Sequence, residues 1–355
     1  GGSYKSANQR RSLPFCPAVV RWISPPSTTS PCRFARLRDK LPHLMSDPRV
    51  RLVFNPRAGG GAAARRLPEL VDTMQRHDLS FEIARTTGPG DASRIARASF
   101  DDGVDLLAVV GGDGTLNEVV QAFLNEYGEV LEGPDIAILP MGTGGDFLRT
   151  LGRKRDLDQT VSRMRSGNQR RIDVVSLQLV DFHGKQVRKA FVNITSFGIG
   201  GVTDKLVNDA PKWLGGKASF FIGSVRAMLQ YRNEHVRVVV DDSPFIDGPV
   251  FNVALANGRY FGGGMMIAPH ADPSDGMLDV VSLGDMNRKE VVSLSGKIYS
   301  GKHLDVHKVT HTRGSVVEAI PHRKEQRVLL DMDGETPGML PIVARVLPKA
   351  IRVRS

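Results

Sequence analysis

The sequence predicts a chain of two architectures, a doubly wound α/β sheet followed by an antiparallel β-sandwich. Three observations carry this. From residue 50 short apolar strands alternate with amphipathic helices. The ends of those strands run into loops rich in glycine, hydroxyls and carboxylates. From about residue 170 the helical period gives way to short strands in succession.

In order, Val50–Phe54 reads as a strand. Ala62–Arg76 reads as a helix with Leu67, Leu70, Val71 and Met74 on one face, and Pro68 suggests that its regular part begins there. Phe81–Arg85 is a second strand and Asp91–Ala98 a helix with Asp91 as its cap. Leu106–Val110 is wholly apolar, as a strand covered on both faces must be. Leu116–Leu124 is a helix and Ile136–Pro140 another buried strand. Repeated strand–helix units imply a parallel sheet, and the ligands of such sheets sit at the carboxyl ends of the strands.

Four unusual loops fall at those ends: Asn55-Pro56-Arg57-Ala58-Gly59-Gly60-Gly61, Thr86-Thr87-Gly88-Pro89-Gly90-Asp91, Gly111-Gly112-Asp113-Gly114-Thr115-Leu116-Asn117-Glu118, and Gly142-Thr143-Gly144-Gly145-Asp146-Phe147. Glycines let backbone N–H groups approach phosphate, and the helix N-termini that follow favour anions. Each loop has a plainer reading: Thr115-x-x-Glu118 is a capping box, and Asp113 and Asp146 are turn formers. All four on one edge favour a phosphate ligand. The P-loop signature, the protein-kinase signatures and a dinucleotide-binding glycine fingerprint are missing from the sequence.

Ile172–Val180 and Lys189–Thr195 read as a hairpin around Asp181–Lys185, with further strands at Val236–Val240, Val250–Ala256, Leu278–Leu283 and Arg327–Asp331. Ala218–Tyr231 reads as a helix with Phe221, Val225 and Met228 on one face and Lys212, Lys217 and Arg226 nearby. It suits a sheet-packed amphipathic helix, or a membrane-contacting one.

Charge narrows the partners. Of the formal +10, residues 1–44 carry eight cations against Asp39, so the rest of the chain is only +3. That fits phosphate ligands or an anionic membrane surface and does not argue for nucleic acid. Residues 1–44 are rich in Ser, Pro and Arg and read as a disordered or non-native tail, with Met45 as a natural start; a transit peptide is the other reading. Cys16 and Cys32 both lie there, so thiolate chemistry is not expected in the body. With no apolar run of about 18 residues, no membrane span is expected.

Taken together, Asn55-Pro56-x-x-Gly59, Gly111 to Glu118 and Leu139-Pro140-Met141-Gly142-Thr143-Gly144-Gly145-Asp146-Phe147 resemble the diacylglycerol kinase catalytic-domain superfamily. The bacterial soluble lipid kinases, sphingosine kinases and ceramide kinases share that pattern. Asn257-Gly258-Arg259, Gly262-Gly263-Gly264-Met265, Ala268-Pro269-x-Ala271, Asp275-Gly276-x-Leu278-Asp279 and Asp333-Gly334-Glu335 extend the resemblance over roughly residues 48–350. Gly145 departs from it, since the family usually has Asn there.

The resemblance implies an α/β nucleotide domain (45–165, with 340–355 returning to it), a β-sandwich lipid domain (166–339) and a cleft between them. It implies transfer of phosphate from ATP, with Mg²⁺, to a lipid hydroxyl at a membrane surface, with diacylglycerol as the first candidate. A cytoplasmic protein that visits the membrane transiently fits this, and a homodimer stays open. An alcohol needs a base to take its proton. Glu335, in a turn after a strand and matching the family's catalytic glutamate, is the candidate base. Asp113 reaches Mg²⁺, and Asp146 and Asp173 are recruited to the same network. Asn55, Gly59, Thr86, Gly111, Gly112, Gly114, Thr115, Asn117 and Thr143 carry over as nucleotide contacts. A second, structural metal falls on Asp272, Asp275 and the carbonyl of Met277, although that segment is also a good turn without one. An NAD kinase and a non-catalytic nucleotide- or lipid-binding regulator are the competing readings.

Overall fold

The computed structural model describes residues 20–23, 48–142, 145–166, 169–199 and 231–354. The first sheet begins as predicted. Strands β2 (Val50–Phe54), β3 (Phe81–Arg85), β4 (Leu106–Gly111) and β5 (Asp135–Pro140) run parallel in the order β3-β2-β4-β5. Helices α1 (Ala58–Arg76), α2 (Asp91–Asp101) and α3 (Asp113–Gln121) make the crossovers. One face packs α2 and α3 through Ile95, Val119 and Phe123. The other packs α1 and α5 (Leu157–Ser166) through Leu70, Met74, Val161 and Met164. Both faces are covered, which is why the strands are apolar without alternation. Pro68 lies inside α1 and does not delay its start; the helical turn is instead preceded by left-handed Gly59, Gly60 and Gly61. Four residues of the N-terminal segment enter the sheet: β1 (Val20–Ile23) pairs parallel with β3. The run Val-Arg-Trp-Ile has strand composition, and the outer edge of β3 offers the backbone groups it needs.

The sheet then continues with antiparallel strands. The long β16 (Met339–Arg354) pairs with β6 (Gln169–Val180) and β14 (Val316–Pro321), and its last residues lie parallel to β5 (Val353↔Ile136). β9 (Glu234–Val240) and β10 (Ser243–Val250) complete that edge, and β7 (Gln186–Phe191) hairpins onto β6. A second sheet has the order β13-β12-β11-β8-β15: Val309–Gly314, Leu278–Leu283, Asn252–Ala256, Ile194–Gly198 and Leu330–Met332. Val175, Leu177, Phe197, Val238, Val253, Val280 and Leu330 fill the space between the sheets. Helix α6 (Arg288–Tyr299), started by a capping box of Asn287 and Glu290, covers the outer face of the second sheet through Leu294 and Ile298. This is the predicted fold class, a parallel α/β sheet with an antiparallel two-sheet layer.

Asp135 ties the last strand to the parallel sheet. It is buried and accepts from Arg352 Nε at 2.7 Å and Arg354 Nε at 2.6 Å, so the C-terminus of β16 is held by charge-assisted bonds as well as by its ladder. The candidate helix Ala218–Tyr231 lies outside the described residues except for Tyr231. Among the described residues no helix is long and apolar enough to cross a membrane.

Candidate active site

The strand order reverses between β2 and β4, and a crevice of this kind opens where such a reversal occurs. Asn55 follows β2 there. Its Nδ2 donates to Thr115 Oγ1 at 3.0 Å, and its Oδ1 accepts from Arg57 N at 3.0 Å, so one side chain joins the β2 loop to α3. Thr86 N donates to Phe54 O and puts Thr86 beside Asn55. A cavity of about 160 Å³ lies between them, lined by Asn55, Arg57, Thr86, Gly88, Thr115 and Glu118 among others.

Glycine is required at two contacts. A Cβ on Gly111 would lie 2.4 Å from Thr115 Oγ1, and one on Gly142 would lie 2.9 Å from the backbone of Gly112. The loops after β4 and β5 therefore touch backbone to backbone, with Gly142 N donating to Gly111 O. Gly112 is the extended N-cap of α3 and Gly114 lies in its first turn. Thr143 lies outside the described residues.

The capping-box reading of Thr115 and Glu118 does not hold. Helix α3 begins two residues earlier, at Asp113, and Glu118 Oε2 instead accepts from Ala92 N in the first turn of α2. Asp91 is likewise not a cap to its own helix. Its carboxylate accepts from Thr87 N, Thr87 Oγ1 and Gly88 N, which fixes the loop lining the cavity and holds its pKa far below the usual carboxylate range.

Asp113 reaches across to the loop after β5. Its Oδ2 accepts from Gly145 N at 2.9 Å and Asp146 N at 3.1 Å, and its Oδ1 from Phe147 N at 3.4 Å. It thus serves as the missing cap of α4 (Asp146–Thr150), whose own N-cap residue is Gly145. Asp146 is buried. It accepts from Gly263 N at 2.7 Å and Arg149 Nη1 at 2.7 Å, which brings the Gly262–Gly264 loop to the site. Burial raises its carboxyl above the ordinary value; the charge of Asp113 adds to that, and the Gly263 amide and Arg149 oppose it. Two neighbouring carboxylates, one of them bonded to Arg149, are a hard-oxygen donor set that fits Mg²⁺.

The turn Met332–Glu335 closes the site. Asp333 and Gly334 both have positive φ, 51° and 86°, and the Met332 and Glu335 backbones bond to each other, as in a two-residue hairpin turn. Asp333 Oδ1 accepts from Ile194 N at 3.0 Å and Oδ2 from Asn117 Nδ2 at 2.9 Å. Burial, reinforced by Asp113 and Asp331, pushes its carboxyl up to about 7 against those two bonds. One turn along α3, the Gln121 amide pairs with both backbone groups of Ala190. Helix α3 thereby fixes the turn and β7 together. Glu335 remains open to solvent on one side, yet so much protein surrounds it that desolvation raises its carboxyl; Glu118 adds to the shift and Lys189 opposes it.

The structure does not bring Asp173 to this group. Asp173 is fully buried, with Oδ2 accepting from Gly276 N and Oδ1 from Lys349 N, both at 2.7 Å. It belongs with Asp272 and Asp275. There Asp272 Oδ1 accepts from Arg170 Nη2 at 2.7 Å, Asp275 pairs with Arg313, and Met277 contributes its N–H to Asp275 Oδ1. Two guanidinium groups already supply the counter-charge a structural metal would bring, so this donor set does not fit one as arranged. Among the described residues the His/Cys/Asp/Glu trio whose ligand atoms gather within 4.8 Å is a different one, His235, Asp247 and His322.

Sequence reasoning missed Arg57, Arg149, Lys189, Gly263 and the structural part played by Asp333. Asp333 had a local signal, the Asp-Gly dipeptide of a tight hairpin, and Arg149 had its i,i+3 spacing from Asp146. The others reach the site through contacts more than a hundred residues apart or through loop geometry.

Residues 49–177 match the diacylglycerol kinase catalytic domain, and residues 193–355 match the YegS C-terminal NAD kinase beta sandwich-like domain. The chain thus carries a diacylglycerol kinase catalytic domain followed by a YegS-type sandwich domain. It is a kinase, 28% identical over 299 residues to the diacylglycerol kinase of Bacillus subtilis (strain 168), covering 82% of this chain and 91% of the relative. The diacylglycerol kinase of Mycobacterium tuberculosis (strain ATCC 25618 / H37Rv) is 27% identical over 311 residues, 86% of this chain and 94% of that one. A solved diacylglycerol kinase from Bacillus anthracis str. Sterne superposes with a TM-score of 0.63 at 21% identity, over 86% of this chain and 96% of that chain, and shares the fold.

Proposed function

We propose that this kinase transfers the γ-phosphate of ATP to the hydroxyl of a membrane lipid alcohol, diacylglycerol first among them, with Glu335 as general base. The observation that carries the reading is the Met332–Glu335 turn. It hangs on α3 through Asp333 and Asn117, and it presents Glu335 beside Glu118 at the crevice. A lipid hydroxyl is a weak nucleophile, and a carboxyl raised toward neutral is a better proton acceptor than an ordinary glutamate.

Asn55, Thr86 and Thr115 line the cavity that would take the nucleotide, and Gly111 leaves room for Thr115 to stand there. The relatives named as diacylglycerol kinases support the choice of acceptor. Mg²⁺ bound with ATP would neutralise phosphate charge, and Asp113 and Asp146 would hold it. Asp113 also pins the 145–147 amides, which sets the loop's N–H groups before the nucleotide arrives.

The test is label transfer from γ-labelled ATP and Mg²⁺ to mixed micelles containing diacylglycerol, ceramide, a sphingoid base or phosphatidylglycerol, with NAD as a separate acceptor. Diacylglycerol should take label, and Glu335→Gln should lower kcat/KM by about 10²–10⁴ with an unchanged melting temperature. Label on NAD alone, or undiminished transfer by the variant, overturns the reading.

A further inference from the structure

The solvent face of the sheet edge β14-β9-β10 carries a second chemistry-bearing cluster. His235 lies on β9 and Asp247 on β10, while His322 directly follows β14. Two paired strands and the residue after a third thus contribute one side chain each. The register explains how they meet. Asp247 pairs with Arg237, two residues from His235 and so on the same face, and His322 N donates to His235 O at 3.0 Å across the other side. Val236, Val238 and Val240 point the opposite way, into the core between the sheets. The cluster therefore sits outside that core and uses none of the residues of the kinase site.

We infer that His235, Asp247 and His322 form a binding site for an imidazole-preferring transition-metal dication such as Zn²⁺. One ligand atom from each lies within 4.8 Å of the other two. The two imidazoles are stacked, 8° apart with centroids 4.2 Å apart, so a turn of one exposed ring about its side-chain torsions would bring both nitrogens onto one ion, and His235 Nε2 is 3.8 Å from Asp247 Oδ1. Two imidazoles and one carboxylate suit Zn²⁺, Co²⁺ or Ni²⁺, whereas Mg²⁺ prefers oxygen throughout.

Arg237 makes the carboxylate's orientation specific. Its Nε and Nη2 both donate to Asp247 Oδ2, at 3.0 and 2.8 Å, leaving Oδ1 turned to His235. A carboxylate held through its other oxygen is the arrangement by which an outer partner orients a metal ligand. The strand backbone supplies the rest of the rigidity, since two of the three positions lie within paired strands. Three protein ligands leave room for water or an exogenous ligand in a four-coordinate ion. This site is independent of the phosphoryl-transfer reading.

The experiment uses the full chain, stripped with chelator and kept in excess Mg²⁺ so that hard-oxygen sites are filled. Co²⁺ is titrated and followed by its visible d–d absorption, then displaced with Zn²⁺. One equivalent of Co²⁺ should bind with intensified bands that Zn²⁺ abolishes. The His235→Ala, His322→Ala double variant should lose the bands. Arg237→Ala should keep them with affinity lower by about tenfold. All three positions face solvent, so circular dichroism should be the same for parent and variants. Absence of Co²⁺ and Zn²⁺ binding by the parent, or equal binding by the double variant, overturns the site.

Discussion

Two groups of carboxylates in this molecule look alike in the sequence and are built differently. Asp113 and Asp146 are satisfied largely by backbone amides, those of Gly145, Asp146, Phe147 and Gly263, with Arg149 as a single cation. Asp272, Asp275 and Asp279 face Arg170 and Arg313, and buried Asp173 sits among them on two amides. Amide dipoles orient a carboxylate without cancelling its charge, whereas a guanidinium fixed at bonding distance cancels it. The first group, two acids with a single cation, faces a crevice, where a cation–phosphate ligand can use its charge. In the second, Asp272, Asp275 and Asp279 are each bonded to a guanidinium, and the group holds a loop against the long last strand. Acids gathered in a fold do not by themselves mark a ligand site; the groups bonded to them and the opening beside them decide it.

The comparison breaks most directly at Asp173. Replacing it with Ala takes the acceptor from the part-buried N–H groups of Gly276 and Lys349. At about 1–3 kcal/mol for each group left unpaired, Asp173→Ala should lower unfolding stability by about 2–6 kcal/mol in urea titrations. Phosphoryl transfer per folded molecule should stay within severalfold of the parent. A hundredfold loss of turnover in a variant that melts normally would return Asp173 to the reaction.

Asp113→Ala should give the reverse pattern. Freed from Asp113, the 145–147 amides lose their shared acceptor and the loop its position. Misplacement by about 1 Å costs on the order of a hundredfold in rate, so kcat/KM should drop by about that factor. Stability should move much less than in Asp173→Ala, because the crevice lets water replace the lost acceptor. Steady-state kinetics and melting curves on the same preparations separate the two variants.

A third difference is titratable. Asp333 is pushed up to about 7 in the folded chain, from 3.8 when unfolded. Between those values the folded state binds the proton and the unfolded state does not. Stability therefore falls as pH rises from about 4 to 7, opposite to the behaviour of a salt-bridged carboxylate. Asp333→Asn should flatten that slope, read as urea midpoints across the window. An unchanged slope would mean that another group sets it. For activity the sign is the usual one. Glu335 works as a base only when ionised, and its raised carboxyl should place the acid limb of the kcat/KM profile above that of an ordinary glutamate.

How much of this could be read in advance follows from where each signal lives. The parallel strands and crossover helices show in local periodicity, and the four glycine-rich loops fall where such a sheet binds ligands. Three features could not be read locally. Strand β16 contains Pro341 and Pro348, which argue against a strand; its ladder absorbs them at register shifts between Met339 and Val343 and between Leu347 and Ile351. The run Lys189–Thr195 looks like one strand, yet the Asn193 carbonyl accepts from both Asn257 N and Gly258 N. The chain therefore leaves one sheet at Phe191 and joins the other at Ile194. Asp173 is placed in the Asp113 network by the family resemblance alone, while its partners lie 103 and 176 residues away. Helix α6 did carry a legible start, the Asn287-x-x-Glu290 capping box, before a weakly periodic run.

The smallest effect tests the guanidinium-paired group at its rim. Asp275 and Arg313 form an ion pair whose side chains are 31% and 43% exposed. Water screens such a pair, so Asp275→Ala should cost at most about 1 kcal/mol, and 1 M salt should erase most of the difference. Met277 N loses an acceptor too, but near the surface it can turn to water. Arg313 stays useful in the variant through Asp279, whose side chain is only 7% exposed and whose carboxyl burial already raises. The loss should therefore stay confined to the 272–277 turn, with the β12–β13 ladder intact by hydrogen exchange. A cost of several kcal/mol that salt leaves untouched would show that Asp275 is held by something other than Arg313. A divalent cation bound at that turn is the first candidate, and chelator sensitivity of the parent's melting temperature would identify it.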